Sequence, residues 1–195
     1  SWTDRQGNAR ANVLFLNPYD FPVQVTSSAA RLINGSDETI KTGSLYFLDG
    51  ISGGSGYLLP AETIGANVCF TCEQALLTED WASVGFSAFI RDATDDLAYS
   101  TEVAATGVEV EFDGDSPIFW ITGNAENTSA STLDRISVRV IVFDKDGSLI
   151  GAAESSGWDV PAGDSVELTG GYGLGENPNG PFDIEVTALG VDYSN

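Results

Sequence analysis

The chain contains no histidine and no methionine, and only two of its basic residues are lysines, Lys41 and Lys145. Lack of histidine removes the commonest general base and the commonest metal ligand, which excludes most Ser-His-Asp triads and most zinc sites. Lack of methionine leaves no initiator, so Ser1 is expected to follow a cleavage and any signal peptide to be gone. No run of about 18 apolar residues occurs, so no segment is expected to cross a membrane. Positive charge is scarce: 8 Lys and Arg face 29 Asp and Glu, a formal net charge of -21. Such a surface repels nucleic acid and anionic lipid, which need positive footprints. It suits saline surroundings, where screening weakens self-repulsion, and equally fits an ordinary acidic secreted domain.

Only two cysteines are present, in Cys69-Phe-Thr-Cys72. Three residues apart on a strand they point to opposite faces, so a disulfide between Cys69 and Cys72 demands a turn or bulge. In an exported protein that tight disulfide is the favoured reading. A thioredoxin-type redox role is disfavoured because the pair does not open a helix within a βαβ pattern. Half of a Cys₄ metal site shared between two chains is the remaining alternative. Glu73 stands where a c-type haem attachment requires histidine.

What the chain does have is an internal repeat. Residues 17–34, Asn-Pro-Tyr-Asp-Phe-Pro through Arg-Leu-Ile-Asn, lie without a gap over residues 127–144, Asn-Thr-Ser-Ala-Ser-Thr through Ile-Val-Phe-Asp. Leu58-Leu-Pro-Ala-Glu-Thr63 then answers Asp159-Val-Pro-Ala-Gly-Asp164, and residues 84–90 answer residues 184–190. Asn34 and Pro60 lie 26 positions apart, against 17 between Asp144 and Pro161, which gives the first copy a nine-residue insertion. Two copies of one small β unit explain the pattern.

Strand-like segments are expected at 11–16, 23–33, 42–48, 58–70 with a turn at Pro60, and 82–91. In the second copy they are expected at 108–112, 118–122, 136–143, 148–153, 165–168 and 182–191. Asn34-Gly35 and Asp146-Gly147 read as hairpin turns, and residues 74–81 as one or two helical turns. The fold class is therefore all-β, two tandem antiparallel β-sandwiches, with a polar N-terminal arm and a Gly-rich loop in the first. The boundary is expected within the acidic stretch 92–106, giving an N-terminal domain over 1–106 and a C-terminal domain over 107–195.

The second copy resembles the FxLYD domain, an immunoglobulin-like β-sandwich. The resemblance rests on Gly123-x-x-x-Asn127, Val140-Ile-Val-Phe-Asp144 with Gly147, and Val160-Pro-Ala-Gly163. Val140, Val142 and Phe143 depart from the naming motif but keep its hydrophobic class. In the first copy Asn34 replaces the aspartate, and Ala61-Glu62 replaces the usual Ala-Gly or Pro-Gly turn. The resemblance implies an exported module of bacterial or archaeal envelopes with no enzymatic activity tied to its fold.

Candidate sites divide along the same lines. Asp144-Lys-Asp-Gly147 lacks the further acids and closing glutamate of a calcium loop and reads as a hairpin. The Asp95-Asp96 and Asp113-Gly-Asp115 clusters invite a cation between the domains or form a solvated linker. Asn34-Gly-Ser36 and Asn127-Thr-Ser129 are N-glycosylation sequons at expected turns. Trp2, Trp81, Trp120 and Trp158 are read as core or interface packing rather than as a sugar platform. Among 29 acids, carboxylate pairs at glycosidase spacing arise by chance, so no catalytic residue and no cofactor is assigned.

The function expected is that of a non-enzymatic structural protein, extracellular or on the cell surface, forming a filament or layer by strand addition or head-to-tail contact. The alternative is a monomeric surface module that binds carbohydrate or a protein partner.

Overall fold

A computed structural model describes residues 2–3, 8–43, 46–47, 57–70, 80–96, 98–100, 103–112, 118–175 and 181–192. Among them every regular element is a β-strand. The first half carries β1 (Trp2–Thr3), β2 (Ala9–Leu16), β3 (Val23–Ile33), β4 (Thr39–Gly43), β5 (Tyr46–Phe47), β6 (Tyr57–Leu58), β7 (Thr63–Cys69) and β8 (Ser83–Asp92). There follow β9 (Ala98–Ser100), β10 (Val103–Phe112), β11 (Ile118–Asn127), β12 (Leu133–Asp144), β13 (Leu149–Val160), β14 (Ser165–Gly175) and β15 (Phe182–Asp192). The expected helical turns at 74–81 fall almost wholly outside the described residues.

In the first half one sheet has the order β1-β2-β7-β5, and a second has β3 between β8 on one side and β4 and β6 on the other. Ala9, Ala11, Ile64 and Val68 of the first sheet meet Val23, Val25, Leu32 and Leu58 of the second in one buried cluster. Full burial of a side chain such as Ile64 or Leu32 stabilises by about 1.5–3 kcal/mol. In the second half a seven-stranded path runs β10-β11-β14-β13-β12-β15-β9. Its core joins Phe119 and Ile121 of β11 to Val140 and Val142 of β12, and continues through Ala125, Ile136, Val138 and Leu168. Every ladder in both halves is antiparallel. Strands β9 and β10 straddle the boundary expected at residue 106, and both pair with strands of the second half, β9 with β15 and β10 with β11.

The internal repeat reappears as two matching hydrogen-bond knots. Asn17 donates from Nδ2 to the carbonyls of Phe21 (2.8 Å), Leu58 (3.2 Å) and Leu59 (3.0 Å), while its Oδ1 accepts from Tyr19 N–H. Asn127 donates from Nδ2 to the carbonyls of Ser131 (2.8 Å) and Val160 (2.9 Å), while its Oδ1 accepts from Ser129 N–H. Each asparagine holds the start of a loop against the end of a distant strand, a use of the short amide suited to turns. The second knot is at the hairpins. Asn34 Oδ1 accepts from Ser36 and Glu38 N–H, and Asp144 Oδ1 accepts from Asp146 and Ser148 N–H.

The structure revises two details of the motifs. Asn17 N–H donates to Glu62 O and Asn127 N–H to Asp164 O, and their carbonyls accept from Ala61 and Gly163. Glu62 therefore matches Asp164, and Leu59 rather than Pro60 matches Pro161. From Asn34 to Glu62 is 28 positions and from Asp144 to Asp164 is 20, so the insertion has eight residues, not nine. Matching prolines misaligned the turn because the residue that must adopt a left-handed conformation, not the proline, fixes its register: Ala61 (φ 60°) and Gly163 (φ 78°). The Asn34-Gly35 hairpin is likewise not a two-residue turn. Ile33 pairs with Thr39, and Asp37 (φ 64°), not Gly35, takes the positive φ that Gly147 (φ 79°) takes in the second half.

Candidate functional site

The halves meet along a seam that starts from the odd-numbered face of β12. Its even-numbered side chains, Ile136, Val138, Val140 and Val142, fill the core of the second half. Alternation puts Arg135, Ser137, Arg139 and Ile141 on the other face, normally the solvated one. Here that face is buried too, with Arg135 at 1% and Arg139 at 5% exposure. What covers it is β7 and the Leu59–Glu62 turn of the first half.

Charge is matched across this cover. Arg139 Nη1 donates to Glu62 Oε1 at 2.6 Å. Glu62 Oε2 accepts from Leu59 N–H at 2.7 Å, so one carboxylate both caps its own turn and joins the halves. Beside it, Arg135 Nη2 and Ser137 Oγ each donate to Glu154 Oε1 at 2.6 Å, and Arg139 Nε lies 3.7 Å from Glu154 Oε2. Two guanidiniums thus share two carboxylates. Desolvating four ions costs several kcal/mol each, so the cluster is a device of register more than of net stability.

Around the charges the seam is close-packed. Asn12 donates from Nδ2 to Ile150 O at 2.6 Å. A Cβ at Gly65 would stand 2.0 Å from Ala152 Cβ, so only glycine lets β7 lie on β13. Leu189 and Val191 of β15 pack against Tyr57 and Leu59. A cavity of about 360 Å³ opens between the Leu59–Thr63 turn and Ile141, Glu185 and Thr187. Its one deeply buried ionic group, Glu62, is already engaged by Arg139 and by Leu59.

The link between the halves has its own cluster. The Arg91 guanidinium bonds both oxygens of Asp96, and Tyr57 Oη donates to Asp96 Oδ2 at 3.3 Å. Arg91 holds the Asp96 carboxyl below its ordinary range, and the Thr94 hydroxyl and N–H do the same for Asp92. The Arg91 guanidinium is correspondingly raised by Asp96. Asp96 is therefore spent on an ion pair rather than gathered with Asp95 as a cation ligand. Asp113 and Asp115 lie outside the described residues, and among those described no three acids, cysteines or histidines converge on a metal position.

The other sequence candidates take the following places. Cys69 ends β7 opposite Arg10, and Cys72 lies outside the described residues, so the pairing itself does too. Asn34 sits in an exposed hairpin, whereas Asn127 is wholly buried at 0% with its amide nitrogen committed to two carbonyls. A glycan on Asn127 would replace one of the two amide hydrogens and so break one of these bonds, in a position with no exposed surface. Asp144-Lys-Asp-Gly147 forms a hairpin whose Lys145 pairs with Asp146 at 2.7 Å. The tryptophans depart from expectation. Trp81 packs against the first core, but Trp120 and Trp158 point outward at 40% and 58% exposure: Phe119 takes the core position beside Trp120, and Trp158 pairs with Arg135 on the outer face of β12. Trp158 lies over the Arg135 guanidinium at 4.9 Å, a cation–π contact.

Reading the sequence did not single out Glu62, Arg135, Arg139 or Glu154. A signal was present: two of the chain's eight basic residues recur four apart on one face of its most regular strand, and Glu62 replaces a turn glycine.

Comparison with known proteins adds little to this geometry. No family model matches the chain, and no curated protein matches it. Among solved structures, the crystal structure of a Bacteroides uniformis β-glucuronidase is similar at 13% identity and a TM-score of 0.30, covering 92% of this chain and 24% of that one. A calcium-binding mutant of Bacteroides uniformis β-glucuronidase 2 is similar at 13% identity and a TM-score of 0.30, covering 96% and 25%. The chain thus spans about a quarter of the length of the structures it matches.

Proposed function

We propose that this chain is a non-enzymatic, extracellular structural protein, built of two tandem immunoglobulin-like β-sandwiches of FxLYD type, that self-associates into a filament or surface layer. The observation that carries the reading is β8. Among the described residues it pairs only with β3, and no described strand lies along its other edge. From Ser83 to Ile90 it bears no charge, although the chain as a whole carries -21. Phe86, Phe89 and Ile90 are exposed at 38%, 72% and 46%. Natural edge strands are normally blunted by charge, proline or a bulge, and a long apolar edge pairs with another chain.

The best-buried carboxylates support a structural rather than a catalytic role, since Glu62 and Glu154 are consumed by Arg139 and Arg135. A Cys69–Cys72 disulfide and a glycan confined to Asn34 belong to the same extracellular reading. A second reading, a monomeric module binding carbohydrate, is favoured by the exposure of Trp120 and Trp158.

Sedimentation velocity across protein concentration and salt separates the two. Screening of the self-repulsion should promote growth of large species as salt rises. A monomer at every concentration and salt, together with quenching of tryptophan fluorescence by an oligosaccharide, would favour the second reading instead.

A further inference from the structure

From Ser27 to Ile33, β3 pairs with β8 in the register that β12 keeps with β15 from Ser137 to Phe143, yet the outer face of only the second pair is covered. In the second half the pair Ser137–Leu189 lies on the outer face of β12 and β15, and Leu189 is 3% exposed because Tyr57 and Leu59 pack on it. In the first half the matching pair is Ser27–Phe89 on β3 and β8, and Phe89 is 72% exposed. The element that does the covering also has a counterpart. The Leu59–Glu62 turn matches Pro161–Asp164 by its hydrogen bonds, and Pro161 and Asp164 stand exposed.

We propose that the seam within the chain is repeated between chains: the Pro161–Asp164 turn of one copy docks on the Phe89 face of the next. This deepens the self-association reading above and rests on it. Charge supports a second copy as the occupant. Asp159 and Asp164 flank the exposed turn, while Arg31, one of only eight basic residues, lies on the same outer face as Phe89. Within the chain an acid of the turn, Glu62, meets Arg139 of β12. Between chains Asp164 takes the place of Glu62, and Arg31, two residues beyond Ala29 (the counterpart of Arg139), supplies the cation. The contact joins two different surfaces, so it does not close on itself, and repetition builds a helical fibre.

The test uses the full chain with Phe89→Glu and, separately, Asp164→Lys, each followed by sedimentation velocity and electron microscopy. Both side chains are exposed, so circular dichroism and melting temperature should match wild type. Each change should raise the concentration needed for assembly by about tenfold or more. Each variant keeps one intact surface, so an equal mixture should form particles of two chains and no fibres. Wild-type assembly that either variant reproduces unchanged would overturn this docking while leaving self-association standing. Variants that fail alone and also fail to pair in the mixture would overturn it too, since they indicate one self-complementary seam. A wild-type chain that stays monomeric throughout would instead sink the structural reading itself.

Discussion

Glu62 of the first half and Arg139 of the second share a hydrogen bond of 2.6 Å with each side chain only 5% exposed. Removing one partner strands the other charge in the seam. Glu62→Ala should therefore destabilise the chain by about 3–5 kcal/mol, whereas Glu62→Leu with Arg139→Met should recover most of the loss. Urea unfolding followed by tryptophan fluorescence reads both. Equal losses in the single and double variants would show that the pair does not hold the halves together.

The left-handed position of the turn carries a second expectation. Ala61 adopts φ 60° where Gly163 adopts φ 78°. A residue with a Cβ is strained there, so Ala61→Gly should stabilise by about 0.5–1 kcal/mol and Gly163→Ala should cost about 1 kcal/mol or more. Thermal melts of the two variants should shift in opposite directions. A shift in the same direction would mean that the two turns are not equivalent.

The sequons should behave unequally. Asn127 is buried with its amide bonded to Ser131 and Val160 carbonyls, whereas Asn34 faces solvent across an exposed hairpin. Asn127→Ala should cost about 1–3 kcal/mol through stranded carbonyls. If the chain is glycosylated, mass spectrometry of its peptides should place the glycan on Asn34. A folded protein carrying its glycan on Asn127 would refute the geometry of that knot.

Acid should act through the link between the halves. The Asp92 and Asp96 carboxyls are both held below the ordinary value of 3.8. A carboxyl depressed by folding contributes stability that is present above its unfolded pKa and lost as pH falls through the folded one. Arg91→Gln removes the partner of Asp96, so wild type and variant should differ at neutral pH and converge in strong acid. Both groups are exposed, so the difference is small. A gap that widens as pH falls would show that Arg91 acts through something other than this carboxylate.

How much of this was legible beforehand depended on which signals are local. Alternation marked the strand at 136–143, and hairpin chemistry at Asp144–Gly147 appeared as read, because a strand's faces and a turn's dihedrals are set by neighbours in sequence. The paired asparagines at 17 and 127 marked the repeat because each makes the same local turn. The seam was hidden. Nothing within β12 says that another sheet will cover the face that carries Arg135 and Arg139. Glu62 looked like a turn residue out of pattern, and the same departure lets it reach Arg139. Phe119 rather than Trp120 filling the core was likewise undetermined, because both are large and aromatic and only the register of β11 chooses between them.

Electron microscopy of the concentrated 195-residue chain in high salt is the most direct test of self-association. Regular fibres are expected, with an axial repeat that contains one chain and each copy placed on the next as its first half is placed on its second. A field of dispersed single particles, unchanged by concentration or salt, would contradict it.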